Sequence, residues 1–159
     1  MTSQTVAPSA RHSTFVIKRA CKATPAQVFS AWADSAIKSR WFVGPEAWEK
    51  SDHKLDFRIG GEETVSGGPE GGPVHYYKAT IADIVADARI VWTYEMHLDE
   101  TRISVSLVTV EFKPEDGGTR MIYTEQGVFL DAFDKPEVRE EGTIALIDQL
   151  GAELRRRFL

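Results

Sequence analysis

Glu125 is the side chain best placed to do chemistry. It lies on a stretch where Thr119, Met121, Tyr123 and Glu125 share one face and Arg120, Ile122, Thr124 and Gln126 the other. The bulkier Met121–Tyr123 face is expected to turn inward and carry Glu125 with it. A buried carboxylate is costly unless paired, and desolvation raises its pKa. Two roles stay open: a hydrogen-bonding anchor or general acid/base for a ligand, or a structural ion pair with a residue such as Arg139. Tyr94 and Tyr123 are further ligand candidates, because a buried phenol needs a partner. Thr143 is expected to face the same space, where its hydroxyl either binds a ligand or bonds back to the carbonyl of residue 139. Trp92, Tyr94 and Met96 would supply apolar walls. The candidate ligand set is therefore Trp92, Tyr94, Met96, Met121, Tyr123, Glu125, Arg139, Thr143 and Ile147, with Glu125 a weak catalytic candidate.

Other chemistry finds little footing. The four histidines, His12, His53, His75 and His97, form no pair with metal-ligand spacing, so no metal site is expected. No nucleophile elbow, P-loop or dinucleotide fingerprint is present, and no cofactor is expected. Residues 67–73 are rich in glycine but lack the lysine and following helix of a phosphate cradle, and read as a mobile loop. Cys21 is the only cysteine and sits in a strand-like stretch, where a buried structural thiol is expected. Asp56 and Arg58 point away from Leu55, Phe57 and Ile59 and read as structural or surface charge.

These side chains need a scaffold, and the chain's patterning supplies one. Residues 1–13 read as a flexible leader and 15–22 as a strand. Thr24-Pro25 opens a helix whose Val28, Phe29 and Trp32 form an apolar stripe. A second short helix begins at Asp34 or Ser35 and closes on Trp41-Phe42, which are expected to plug the base of a cavity. From there to Asp131 the period is two: Leu55, Phe57 and Ile59 alternate with charges, Gly60-Gly61 makes a tight reversal or bulge, and strands follow over 62–66, 74–85, 90–98, 102–113 and 119–129. Short turns at Asp99-Glu100 and at Asp116-Gly117-Gly118 predict an antiparallel meander. Asp134 and Pro136 start a last helix to about residue 157. With Val138 as reference, Thr143, Leu146, Ile147, Leu150, Leu154 and Phe158 share its apolar arc, while Glu141, Asp148, Glu153, Arg155 and Arg156 fall outside. The result is an α+β helix-grip fold: a strand, two short helices, about six antiparallel strands and a long C-terminal helix across the curved sheet. A twisted sheet cannot follow one straight helix along its whole length, so a gap between the two is expected.

Composition bounds the partners. The chain has 159 residues, 42% hydrophobic and 27% charged, which suits one globular domain over 14–159. A net charge of -5 argues against nucleic acid or anionic membrane as partner. No apolar run is long enough to span a bilayer and no secretion signal is visible, so a cytoplasmic location is expected. A homodimer is compatible with the sequence.

The chain resembles the SRPBCC (START-like) superfamily, and within it the proteins similar to the C-terminal domain of the activator of the heat-shock protein 90 ATPase. The resemblance runs from Thr14 to Arg156. It is carried by Val28-Phe29 with Trp32, Arg40-Trp41-Phe42, Arg58-Ile59-Gly60-Gly61, Gly118-Thr119, Glu125-Gln126-Gly127 and Glu141-Gly142. Many relatives carry tryptophan after the helix glycine, where this chain has Thr143, and histidine near the end of the last strand, where it has Glu125 and Gln126. The resemblance implies a cavity. Because relatives range from lipid and hormone binders to polyketide aromatase/cyclases, it leaves the chemistry open. The expected function is binding of a small hydrophobic or aromatic ligand between sheet and helix, leaning non-catalytic. A cyclase- or hydratase-like enzyme using the same cavity is the alternative. A chaperone-ATPase-activating protein, suggested by the family name, is a further one.

Overall fold

The computed structural model describes residues 7–159. Its elements are β1 (Ala10–Cys21), α1 (Pro25–Ala33), α2 (Ser35–Trp41), β2 (Glu49–Lys50), β3 (Lys54–Leu55), β4 (Glu62–Gly68), β5 (His75–Val85), β6 (Arg89–Leu98), β7 (Thr101–Glu115), β8 (Gly118–Leu130) and α3 (Pro136–Phe158). The eight strands form one antiparallel sheet in the order β1-β8-β7-β6-β5-β4-β2, with β3 paired to β4. The helix-grip architecture expected from the sequence is the one found. β1 starts earlier than expected, so Ala10–Ser13 of the expected leader pair with β8, while residues 1–6 of it lie outside the described residues.

Local sequence explains the helix boundaries. Thr24 caps α1 through a reciprocal pair of bonds with Gln27, and Pro25 occupies the first turn, where its missing N–H costs nothing. The Asp34 carboxylate accepts from the Ala36 and Ile37 N–H groups and so caps α2 immediately afterwards. α3 begins differently: Lys135 stands at the cap position without a side-chain bond, and Asp134 instead accepts from Arg139.

One face of the sheet is covered and the other is not. Phe15, Ile17, Ile90, Trp92, Val108, Val110 and Met121 are buried against Val28, Trp32 and Trp41 of the short helices and Ile147, Leu150 and Leu154 of α3. Val16, Val105 and Leu107, one residue out of phase with the buried set, are exposed. Trp32 contacts Trp41, Trp92 and Tyr123 and ties α1 to both α2 and the sheet. Trp41 is buried and donates its indole N–H to the Ala31 carbonyl.

Four expectations need correcting. The alternation through Leu55, Phe57 and Ile59 is not one strand: β3 ends at Leu55 and Ile59 is 60% exposed. Asp56 and Arg58 pair with each other in a turn instead, and Gly60, at φ 84°, completes it. A Cβ on Gly61 would lie 2.0 Å from the Asp56 carbonyl oxygen, so the second glycine is needed for that close approach. Gly67 and Gly68 belong to β4 rather than to the loop. On α3, Val138 is exposed, and Glu153 is buried beneath Arg156 and Arg157, which both donate to it. Among the described residues no helix is long and apolar enough to cross a membrane.

Candidate functional site

The inward face of β8 carries Glu125 where alternation places it. The carboxylate is 1% exposed. Tyr123 Oη donates to one of its oxygens at 2.7 Å, and Tyr94 Oη and Ser106 Oγ donate to the other at 2.7 and 3.3 Å. The sheet register brings these groups together: Tyr94 on β6 lies opposite Ser106 on β7, and Ser106 lies opposite Gly127 on β8, two residues from Glu125. Gly127 makes room for this arrangement, since a Cβ there would stand 3.1 Å from Ser106 Oγ and 3.2 Å from the Phe129 ring.

Arg139 closes the cluster from α3. Its guanidinium donates to Tyr94 Oη, Ser104 Oγ and Asp134 at 2.9, 2.9 and 3.0 Å. It lies 3.9 Å from Glu125, so the ion pair between them runs largely through the Tyr94 hydroxyl. Burial pushes the Tyr94 and Tyr123 phenols up, and Glu125 pushes in the same direction; for Tyr94 the positive charge of Arg139 partly opposes this. Burial works against the Arg139 charge, but the surrounding Tyr94, Glu125 and Asp134 oxygens more than offset it and raise its pKa. Thr143, one turn on, donates its hydroxyl to the Arg139 carbonyl at 2.9 Å.

A second buried polar group carries no strong mark in the sequence. Lys38 on α2 and Glu63 on β4 are 4% and 3% exposed. The ammonium lies 2.8 Å from the carboxylate and 4.6 Å from the centre of the Phe42 ring, with the Trp32 and Trp92 rings at 5.4 and 5.5 Å. His53 Nε2 is 2.6 Å from the same carboxylate. Burial alone would raise the Glu63 pKa, but the Lys38 charge and the bonds from His53 and Lys38 outweigh it and hold it below the usual carboxylate value. Trp92 and Lys38 line a void here of only about 10 Å³, close to the smallest that admits one water.

A space large enough for a ligand lies elsewhere. A groove of about 600 Å³ runs between the end of β1 and the C-terminal half of α3. Met121, Ile147, Leu150 and Leu154 form its floor, and Arg19, Lys22 and Arg155 stand around it. Cys21 lines the groove half-buried, not enclosed as expected from its strand; burial pushes its thiol up despite the charges of Arg155 and Arg19. Of the candidate ligand residues, Met121 and Ile147 line this groove. Tyr94, Tyr123, Glu125 and Arg139 meet one another in the closed polar cluster, with Thr143 bonded to the Arg139 carbonyl beside it. Trp92 faces the small void beside Lys38, and Met96 packs half-buried against the core.

The family model for Activator of Hsp90 ATPase homolog 1-like protein matches residues 22–155, almost the whole path from the end of β1 through α3. The chain belongs to this family. An uncharacterized protein of known structure from Rhizobium leguminosarum is 46% identical, with a TM-score of 0.90 over 95% of this chain and 99% of that one. A protein of Rhizobium loti is 43% identical, with a TM-score of 0.84 over 91% and 99% of the two chains. An AHSA1-like protein of Aeromonas hydrophila, 19% identical and covering 91% and 93%, shares the fold with a TM-score of 0.68. No curated protein matches the chain. Family membership thus brings a fold suited to ligand binding.

Proposed function

We propose that the protein binds a small hydrophobic or aromatic molecule, without catalysis, in the groove between the end of β1 and the C-terminal half of α3. The observation that carries this reading is the apolar lining that Met121, Ile147, Leu150 and Leu154 give to a space of about 600 Å³. That volume falls within the range of roughly 300–1,000 Å³ usual for small-molecule sites. Catalysis at Glu125 has less support, because its carboxylate already holds three hydroxyl donors and the groove does not reach it.

Gly151 offers a way to close the groove without disturbing the core. It lines the space, and a Cβ there would meet only the Arg155 guanidinium, at an ordinary 3.4 Å. Titration with the neutral fluorophore N-phenylnaphthylamine should give saturable binding to the wild-type protein and none to Gly151→Phe. Native mass spectrometry of the purified protein should show a co-purifying molecule that the variant lacks. Equal binding by both proteins would place the site outside the groove.

A further inference from the structure

The floor of the groove is apolar, but its rim is cationic. Arg19, Lys22 and Arg155 line it, against a single acidic side chain, Asp148. Asp148 is already engaged by Arg19, at 3.4 Å. Lys22 and Arg155 are exposed and have no carboxylate partner among the described residues. The contrast along α3 is informative: Arg156 and Arg157, the next two residues, both donate to Glu153, whereas Arg155 is left facing the groove beside Gly151. Two uncommitted cations over an apolar floor are a local excess of positive charge in a chain whose net charge is -5.

We infer that the ligand of this groove is an anionic amphiphile, an alkyl or aryl body ending in a carboxylate, with Arg155 and Lys22 holding the head and the Met121–Leu150–Leu154 floor taking the body. This rests on the proposed binding reading and adds the charge of the ligand to it. The geometry divides the labour. The body gains from leaving water in proportion to the apolar area it covers, which sets affinity but not selectivity. A guanidinium at the rim can give a carboxylate two parallel hydrogen bonds, and an ammonium adds a point charge, which an uncharged or cationic head cannot use. Because both cations are exposed, the preference should weaken as salt is added.

The test compares three probes of equal chain length by calorimetric titration at low ionic strength: decanoate, decanol and decyltrimethylammonium. Decanoate is expected to bind about tenfold more tightly than decanol, with the cationic probe weakest. Arg155→Gln and Lys22→Gln, both at exposed positions, should each shrink the preference for decanoate over decanol. Decanol binding as tightly as decanoate, or unaltered selectivity in both variants, would overturn the inference while leaving the groove as a binding site. A preference for decanoate that survives Gly151→Phe would also overturn it, as binding of the anion outside the groove. If none of the three probes binds while N-phenylnaphthylamine does, the inference falls and the binding reading stands; if N-phenylnaphthylamine also fails to bind, both fall.

Discussion

Lys38 reaches from α2 to Glu63 on β4 to form a 2.8 Å ion pair in which both side chains are almost fully enclosed. It joins the short helical pair to the sheet edge and is covered by the rings of Phe42, Trp32 and Trp92. Removing one partner strands the other charge. Lys38→Met or Glu63→Leu alone should each cost about 3–5 kcal/mol in urea unfolding, and the double variant much less than their sum. Additive losses would mean that the two charges are not coupled. The same pair sets an acid limit. The Glu63 carboxyl is held below its ordinary value of 4.5, so its stabilisation is present above that pH and lost as pH falls through the depressed value. Glu63→Gln should flatten the acid limb of the stability profile; an unchanged limb would assign it to other carboxylates.

The phenols around Glu125 set the alkaline limit. Tyr77, Tyr94 and Tyr123 all have pKa values raised above 10.0, chiefly by burial. A raised folded pKa means that stability is flat below about pH 10 and falls above it, as the unfolded chain loses protons that the folded chain keeps. Absorbance and circular dichroism recorded together should show these three phenols ionising with unfolding and not before. Tyr123→Phe removes one bond to the carboxylate and should cost about 1–3 kcal/mol. Tyr94→Phe should cost more, since it also takes an acceptor from Arg139. Equal losses would count against the link through the Tyr94 hydroxyl.

Gly151 separates helix stability from binding. It sits inside α3 with no left-handed backbone to preserve, so Gly151→Ala should stabilise the protein by about 1 kcal/mol. A methyl group leaves most of the groove open, and N-phenylnaphthylamine affinity should be unchanged. Thermal denaturation and titration of the one variant check both parts. A loss of affinity with Ala would show that the ligand packs directly on the helix backbone at this point.

The inward direction of Glu125 was legible because β8 is a long strand with strict alternation, and a period of two leaves no freedom once Met121 and Tyr123 face the core. Arg139 was legible for the corresponding reason on α3. The turn after Leu55 misled because Asp56 and Arg58 imitate the polar half of a strand, while the backbone is turned by the positive φ of Gly60. Lys38 gave no signal: a lysine on a seven-residue helix reads as surface, and its partner Glu63 on β4, which also holds His53, becomes a neighbour only through folding. The groove was legible in kind but not in place. Where α3 parts from the sheet depends on which side chains fill the space at each end, and the Tyr94–Glu125–Arg139 network fills the N-terminal end.

The pairing of β1 with β8 has a consequence for the order in which the molecule assembles. Strands β4 to β8 follow one another and can zip through short hairpins, but β1 must wait until β8 exists at the far end of the chain. One wall of the groove is therefore expected to close late, once nearly all of the polypeptide is in place. A molecule held there would meet only the finished protein and act as a latch on the last seam to form. Pulse-labelled hydrogen exchange during refolding would reveal this as late protection of β1 amides, with protection of all strands in one phase arguing against it.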